Sequence, residues 1–458
     1  MASSATTPSA AHSSSDPSIY QEYGSKWSTL PTDSASWIQR AKDVAAALAP
    51  DAAAREKVNK TPRAEVTLLK HSGLLKIVGL KAYGGGEQPW SVAYQAIREV
   101  AKGDGSIGML LGYHLIWAFS PFILGTPSQI ANWSALITSQ NLLVGGAVNP
   151  RDSDLVITSD PSEKTRIIFN GSKHFTTGAA ISDLIVLEGA LSSESSDFGH
   201  DAGKHIFAYV PTTHPGISFS FNWDAIGLRL TESGSAQISN VSVDWDDALG
   251  WSSPSPTSIP SPLPDVLGVP YATLLLPAIQ LVFTNFYLGI AQAALDTAAG
   301  YTRKSTRPWP YLSGGERETV FPAEKATDEF YILPTYGTHH AHLLAATALA
   351  DRANEAVSEL FSAYNHERGN RAALTAQQRG EISELIAAAK IMVTDVGLKV
   401  TSDVFKVTGS RATASKVGLD RFWRDLRTHT LHDPVAYKRR EVGRWVLLGE
   451  IPTPTWYT

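Results

Sequence analysis

The amino-acid sequence predicts a mostly helical α+β fold, in which a small β domain lies between an N-terminal helical domain and a C-terminal helical bundle. Three observations carry this prediction. Apolar residues recur at helical spacing up to about residue 141, short β-rich runs between turn residues follow to about residue 264, and long Ala-rich helical segments fill the remainder. We therefore divide the chain into a disordered tail and three domains: 1–16, 17–141, 142–264 and 265–458.

The N-terminal region predicts helices over Ala64–Gly73 and Val92–Lys102. The segment Gly103–Gly108 directly after them matches the glycine pattern GxGxxG of dinucleotide-binding loops. That function requires a strand before the glycines, whereas a helical pattern precedes them here. We predict a turn between two helices at this position.

The middle region contains alternating apolar runs that predict strands over Ile181–Ala190, His205–Val210 and Ala236–Val243. The segment Arg166–Phe175 is interpreted as a hairpin, because Asn170-Gly171 favours the positive φ angles of a tight turn. A Ser/Pro-rich linker over Ser252–Pro264 follows. A small β domain connected to the last domain by this linker is therefore expected.

The C-terminal region predicts an antiparallel bundle of four helices. Their expected ranges are Leu274–Lys304, Thr338–Asn365, Gln377–Thr408 and Pro434–Leu448. No charged residue occurs between Asp265 and Asp296, a length that could span a bilayer. Polar residues such as Gln280 interrupt this span and no positive cluster precedes it, so a buried helix is favoured over a membrane span.

The composition excludes several classes of function. With no cysteine, the chain has neither disulfides nor thiolate nucleophiles nor Cys-ligated metals. A formal net charge of -5 argues against a nucleic-acid partner. The first 16 residues lack the features of a targeting peptide, which predicts a cytoplasmic protein. The histidines at 339, 340 and 342 lack a carboxylate at ligand spacing, so no metal site is expected.

The segment Arg421–Pro434 is the densest in chemically active side chains. If it is helical, His429 and His432 share one face. A solvated basic helix end is an equally good interpretation of this segment alone. Two further segments could bind a cofactor: Gly171–Ala179, with an aromatic and two hydroxyls, and the segment around Trp223. For these, cross-strand pairing and core packing are the alternatives.

These segments resemble the acyl-CoA dehydrogenase superfamily, and the resemblance covers nearly the whole chain after the tail. The matching motifs occur in the family's order: Tyr83–Gly85, Asp104–Ser106, Lys173–Ala179, Trp223–Gly227 and Arg424–Asp425. Other motifs resemble the flavin-dependent two-component monooxygenase branch of this superfamily: Gly112–Leu115, Arg307–Trp309, Asp420–Arg424 and Leu431–Val435.

Two departures bear on the activity. The dehydrogenases of the superfamily carry a catalytic glutamate near the end of the C-terminal segment, where this chain has His432, Asp433 and Pro434. Thioester dehydrogenation is therefore disfavoured. Thr177 stands where the monooxygenases have serine, and Gly145–Val148 is less polar than their flavin loop, so the substrate is expected to differ.

The resemblance implies reduced FMN, with FAD as an alternative, supplied by a separate NAD(P)H-dependent flavin reductase. Dioxygen would add at flavin C4a, and one oxygen atom would pass to a small aromatic or heteroatom-containing substrate. It assigns the position nearest C4a to His432, a surrounding polar patch to His429 and His114, and a flavin contact to Thr177.

The resemblance also implies a cofactor-binding set and a homotetramer. Arg307, from a neighbouring subunit, and Arg411 would bind the flavin phosphate. The ring would be framed by Phe175, Thr176 and Trp223, with Ala147 and Val148 in the flavin loop. Two alternatives remain: an acyl-CoA dehydrogenase or oxidase with a relocated base, and an inactive flavoprotein fold that serves in assembly.

Overall fold

The computed structural model describes residues 13–149, 155–252, 260–309, 323–364 and 370–456. In this part of the chain, the predicted order of helical, β and helical regions is confirmed. The helices of the N-terminal region are α1 (Glu22–Lys26), α2 (Ser34–Leu48), α3 (Ala52–Val58), α4 (Arg63–Ser72), α5 (Trp90–Gly103), α6 (Gly105–Leu124) and α7 (Pro127–Ser139).

The turn between α5 and α6 contains the GxGxxG pattern. Asp104 is the N-cap of α6, and its carboxylate accepts hydrogen bonds from the backbone N–H groups of Ser106 and Ile107. Gly103 lies so close to α2 that an added Cβ would be 2.5 Å from the Ala45 carbonyl oxygen. The glycines therefore permit close helix packing, and the predicted helix-to-helix turn is confirmed.

The middle region forms one sheet of seven strands, with a separate pair of short strands after it. The strands are β1 (Val144–Ala147), β2 (Val156–Ser159), β3 (Arg166–Lys173), β4 (Leu184–Leu191), β5 (His205–Pro211), β6 (Ile217–Phe219), β7 (Ala236–Asp244), β8 (Trp251–Ser252) and β9 (Ser261–Pro262). The sheet order is β1-β4-β2-β3-β7-β6, and β5 pairs with β4. Parallel pairs, β1–β4 and β2–β4, occur beside antiparallel ones.

The hairpin predicted at Asn170-Gly171 is wrong. Strand β3 runs straight through this pair, and its register against β7 shifts between Phe169 and Gly171. The Asn170 side chain accepts a hydrogen bond of 2.7 Å from the Asn240 N–H on β7, and Gly171 has φ +136°. The residue pair that favours a tight turn here accommodates a β-bulge, which needs the same backbone freedom.

The C-terminal region forms the four predicted long helices. Three of them shift by at most one residue, whereas the helix expected over 338–365 begins six residues earlier and its predicted end lies outside the described residues. The helices of this region are α8 (Pro264–Leu267), α9 (Leu275–Ser305), α10 (Ile332–Ala363), α11 (Ala376–Thr408), α12 (Asp420–His429) and α13 (Val435–Leu448). The helical domains share one hydrophobic core, in which α9 packs against α5, α6, α10 and α11.

Two helical segments, Gly105–Leu124 and Pro270–Ser305, are long and apolar enough to cross a membrane by length and composition. In the structure, 89% and 94% of their most apolar windows are buried inside the protein. Segments covered in this way are typical of core helices. The apolar stretch noted between Asp265 and Asp296 is accordingly the buried centre of the bundle.

Candidate active site

The C-terminal end of α12 brings two predicted catalytic residues together. The rings of His429 and His432 stack with centroids 5.1 Å apart and planes at 8°. A hydrogen bond of 2.9 Å from the His432 N–H to the His429 carbonyl holds the turn that follows the helix. The two histidines are therefore neighbours, as expected, although α12 ends at His429 and a turn rather than a helix carries His432.

His429 lies in a cage of aromatic side chains. One ring nitrogen, Nε2, is 3.0 Å from the Tyr113 hydroxyl of α6, and Nδ1 is 2.7 Å from the Tyr287 hydroxyl of α9. The rings of Phe283 and Phe286 on α9 lie edge-on to the imidazole at 4.5 and 4.9 Å between centroids. These α9 residues recur at spacings of three and four, so one face of the helix lines the site.

This environment keeps His429 neutral. Burial lowers its pKa well below the ordinary value, and the nearby His432 and Lys390 lower it further. A neutral imidazole has one donor and one acceptor nitrogen, so one tyrosine hydroxyl accepts from it and the other donates to it. Burial also raises the pKa values of Tyr113 and Tyr287, and both hydroxyls therefore keep their protons.

His432 stands at the open end of this stack. Its ring edge meets Phe283 at a centroid distance of 5.5 Å, while the residue as a whole is exposed to solvent. Desolvation by the surrounding atoms lowers its pKa. Asp433 raises the pKa and Lys390 lowers it, and the net result is a lowered pKa. His432 is thus a neutral imidazole at pH 7 that can offer a proton donor to a bound molecule.

A buried ion pair holds the turn that carries His432. Lys390 of α11 is 1% exposed, and its ammonium binds both the Asp433 carboxylate and the Asp433 carbonyl, the latter at 3.0 Å. The Gln280 amide of α9 donates to the same carboxylate at 2.7 Å. Burial raises the pKa of Asp433, but the adjacent ammonium outweighs it and the net pKa is lowered.

Most of this support was not predicted from the sequence. No role at the site was expected for Lys390, Tyr113, Tyr287 or Gln280. A signal for Lys390 was present, because it is the lone charge in the apolar run from residue 386 to 393 of a long helix. Such a position predicts a buried, paired lysine. The two tyrosines are explained equally well by core packing, so their residue type alone does not predict a role at the site.

The β domain contributes a cavity of about 180 Å³. Phe175 and Trp223 line it with His174, Ser233 and Ser235, and the two aromatic rings meet edge-on at 6.2 Å. Phe175 is 61% exposed and has φ +56°, an unusual combination for a large apolar residue. Exposed apolar surface and backbone strain at one residue are typical of a binding site.

Two backbone segments face each other beside this cavity. The N–H of Thr176 donates to the Gly234 carbonyl at 3.0 Å, and the N–H of Gly178 donates to the Thr231 carbonyl at 2.9 Å. The Thr176 hydroxyl also donates to the Gly234 carbonyl, at 2.8 Å. The Thr177 hydroxyl lies 2.9 Å from that of Ser233. The Thr176 hydroxyl is thus bonded to the protein backbone. The Thr177 hydroxyl is bonded to Ser233, a residue that lines the cavity.

One wall of the cavity is linked to α12 through Leu228. The Trp223 indole N–H donates to the Leu228 carbonyl at 2.8 Å, and the Leu228 N–H donates to the Asp425 carboxylate at 2.6 Å. An added Cβ on Gly227 would lie 2.2 Å from backbone atoms of Arg424, so glycine permits this approach. The cavity wall at Trp223 is therefore connected through Leu228 to the C-terminal helical region.

His114 has different surroundings from the other predicted catalytic residues. It is fully buried, its Nε2 lies 2.9 Å from the Leu75 carbonyl, and its Nδ1 accepts from the Val144 N–H at 3.0 Å. Burial lowers its pKa to about 4. Both nitrogens are therefore occupied by backbone groups, one in the turn after α4 and one in strand β1. This geometry favours a structural role over the predicted contact with oxygen or substrate.

The two arginines predicted to bind phosphate lie near each other but far from this site. The guanidinium of Arg411 donates to the Ser305 carbonyl at the end of α9 at 2.7 Å, and the exposed Arg307 follows two residues later. Eighteen residues of α9 separate Ser305 from Tyr287, which corresponds to roughly 27 Å at the helical rise. Within one chain, neither arginine is next to the His429 site.

The predicted flavin-loop residues lie at the end of β1. Ala147 is completely buried in the β-domain core, and Val148 packs against the helical core. Both side chains thus pack within the protein, one in each core. Only the backbone at this strand end could therefore contact a cofactor.

The residues around the cavity fit a flavin. Phe175 and Trp223 offer aromatic side chains at the cavity wall against which a planar ring system could pack. The hydroxyls of Thr177 and Ser233 offer hydrogen bonds to a polar ring edge. Arginine guanidinium groups suit a phosphate.

Comparison with known proteins identifies the family. The sequence matches the family "Acyl-CoA dehydrogenase, N-terminal domain" over residues 36–141 and "Acyl-CoA dehydrogenase, C-terminal domain" over residues 281–436. The chain belongs to the monooxygenase branch of the acyl-CoA dehydrogenase superfamily. The resemblance deduced from the sequence motifs is confirmed.

Three relatives within this superfamily are similar along almost their whole length. Dibenzothiophene monooxygenase of Mycolicibacterium goodii is 37% identical over 403 residues, which cover 87% of this chain and 91% of the relative. The probable FMNH2-dependent monooxygenase SfnC of Pseudomonas putida is 33% identical over 418 residues, covering 91% and 96%. The crystal structure of TdsC from Paenibacillus sp. A11-2 with FMN and indole superposes with a TM-score of 0.80 at 34% identity, covering 92% of this chain and 100% of TdsC.

Proposed function

We propose that this protein is a reduced-flavin-dependent monooxygenase that oxygenates a small aromatic or heteroatom-containing molecule. The observation that carries the proposal is the neutral His429–His432 stack, which aromatic rings surround and which contains two of the residues predicted to be catalytic. In support, one relative is named as a probable FMNH2-dependent monooxygenase, and another was crystallised with FMN and indole.

The contacts suggest a separate role for the flavin and for each group of side chains. Reduced FMN, or FAD as the alternative, would supply the chemistry with dioxygen after reduction by a separate NAD(P)H-dependent reductase. His432 would hold a proton donor at the open end of the stack. His429, gripped by Tyr113 and Tyr287, would fix the orientation of His432 through the stacked rings. The Phe283 and Phe286 rings would exclude water from this face.

An acyl-CoA dehydrogenase activity is the second candidate, and the structure argues against it. That reaction needs a carboxylate free to remove a proton. Asp433, the carboxylate of the segment where those enzymes carry their base, is bound by Lys390 and Gln280. Its lowered pKa makes it a weak base. An inactive assembly subunit is disfavoured by the ordered histidine pair.

The distance to the arginines supports a site completed by a second copy of the chain. Arg307 and Arg411 stand roughly 27 Å from Tyr287 along α9, too far to bind the phosphate of an FMN seated near His429. In a homotetramer, which we propose as the active form, the same arginines would bind the flavin of a neighbouring subunit. A cytoplasmic location with access to the reductase completes the proposal.

The test is a substrate panel of thioethers, amines, phenols and indoles. The protein is incubated with FMN, NADH and a generic flavin reductase, and products are identified by mass spectrometry. We expect mass gains of one oxygen atom for at least one class. His432→Ala serves as the matched variant, which should consume NADH but lose most of the product.

Oxidation of butyryl-CoA coupled to a dye, measured in parallel, tests the second candidate. Dehydrogenation without any oxygenated product would overturn the proposal. Absence of turnover in both assays, with reduced FMN shown to bind, would favour the inactive assembly subunit.

A further inference from the structure

Three buried hydroxyl groups form a continuous hydrogen-bonded row beside the cavity. The Thr177 hydroxyl is 2.9 Å from the Ser233 hydroxyl, which is 2.7 Å from the Thr231 hydroxyl. The row ends where the Thr231 hydroxyl donates to the Leu228 carbonyl at 2.9 Å. All three side chains are at most 5% exposed, so water does not compete for these bonds.

The Leu228 carbonyl gives the row a direction. A carbonyl oxygen can only accept, and it already accepts from the Trp223 indole at 2.8 Å. Each hydroxyl has one proton. When Thr231 donates to Leu228, Ser233 must donate to Thr231, and Thr177 must donate to Ser233. The proton of Thr177 is then directed into the protein, and its oxygen presents only lone pairs to a ligand.

The carboxyl group of Asp425 holds the residue that anchors the row. It accepts the Leu228 N–H at 2.6 Å and so helps to fix the position of the Leu228 carbonyl. The opposite arrangement, with Thr177 donating outward, would lose the bond between Thr231 and Leu228.

We infer that Thr231 and Ser233 are positioning residues that make Thr177 a hydrogen-bond acceptor, and that this row lets the site select reduced over oxidised flavin. A reduced isoalloxazine ring carries an N–H at its central ring edge that the oxidised ring lacks. An acceptor-only hydroxyl bonds the former and meets a lone pair on the latter. The inference rests on the proposed function, because it takes a flavin as the ligand of this cavity.

The test compares the affinities of reduced and oxidised FMN, measured anaerobically and aerobically by titration of the complete protein. We expect the wild-type protein to favour reduced FMN. Thr231→Val removes the anchor, which frees Ser233 to donate to Thr177 and Thr177 to donate outward. The preference should fall about five- to tenfold, the size of one net hydrogen bond. Thr231→Ser keeps the hydroxyl and should keep the preference.

Two further variants separate this effect from structural damage. Ser233→Ala interrupts the row at its centre and should lower the preference to the same extent, even if Thr231→Val fails to fold. Thr401→Val removes an equally buried hydroxyl, which donates to the Gly397 carbonyl of its own helix at 2.8 Å, and should leave the preference unchanged.

The outcomes distinguish this inference from the proposed function. A wild-type preference that survives both Thr231→Val and Ser233→Ala overturns the inference while oxygenation in the substrate panel stands. A wild-type protein without any preference overturns it as well. If no substrate is oxygenated but the preference follows the Thr231 hydroxyl, the row acts as inferred and the monooxygenase proposal fails.

Discussion

Two buried histidines of this protein are both neutral but have different hydrogen-bond partners. His114 and His429 are both almost completely buried, and burial lowers the pKa of each. His114 bonds to two backbone groups of separate elements, whereas His429 bonds to two tyrosine hydroxyls and stacks on a third titratable ring. Burial therefore does not distinguish a structural histidine from one in a site, but the chemistry of its partners does.

Replacing His114 should produce the largest effect on stability. His114→Ala leaves the Leu75 carbonyl and the Val144 N–H without a partner and opens a cavity, so the free energy of unfolding should fall by about 3–5 kcal/mol. Urea unfolding measures this. The exposed His340→Ala should change it by less than about 0.5 kcal/mol. A stable His114→Ala protein that fails to make product would instead place His114 at the substrate.

Replacing His432 should produce the largest effect on chemistry. His432→Ala removes the donor at the open end of the stack, and product yield should fall about 10²–10³-fold, as for loss of one preorganised donor. Reduced FMN should still bind, and hydrogen peroxide should appear in place of product. His432→Gln restores a donor without proton exchange and should recover part of the yield. Wild-type yield from His432→Ala would transfer the role to His429.

The stability contribution of His114 should depend on pH with a defined sign. Its pKa is about 4 in the folded protein and 6.5 when unperturbed, so between these values the unfolded chain binds more protons. Stability from this group is full above pH 6.5 and is lost as the pH falls towards 4, by roughly 3 kcal/mol in total.

Unfolding of the wild-type protein and His114→Gln at pH 7 and pH 4.5 measures this contribution. Because His429 and His432 have lowered pKa values of the same sign, both proteins should lose stability in acid. The difference between the two losses belongs to His114. An equal loss in both proteins would contradict the assignment.

The smallest effect on product yield is expected when one of the tyrosine hydroxyls that contact His429 is removed. Tyr287→Phe removes one hydroxyl from His429, and Tyr94→Phe removes an equally buried hydroxyl that donates to the Ala278 carbonyl at 3.0 Å. Each should lower the free energy of unfolding by about 1 kcal/mol. Product yield should fall several-fold only in Tyr287→Phe. Equal yields from both variants would show that the tyrosine pair does not orient the site.

The sequence by itself determined the layered architecture and the family. Helices α9, α11 and α13 begin and end within one or two residues of their predicted bounds, because apolar periodicity and capping are local properties. The motif at the end of α12 predicted the His429–His432 pairing for the same reason, since residues three apart on a helical turn are neighbours.

The tertiary structure decided what those elements do. Asn170-Gly171 forms a bulge because β7 lies alongside β3, and a local signal for positive φ does not choose between a turn and a bulge. The bond between Lys390 and Asp433 and the row from Thr231 to Thr177 join residues far apart in sequence, and packing alone brings them within hydrogen-bonding distance. Spacing along the chain carries no information on such contacts, which is why His114 and His429 look equivalent in sequence and differ in the folded protein.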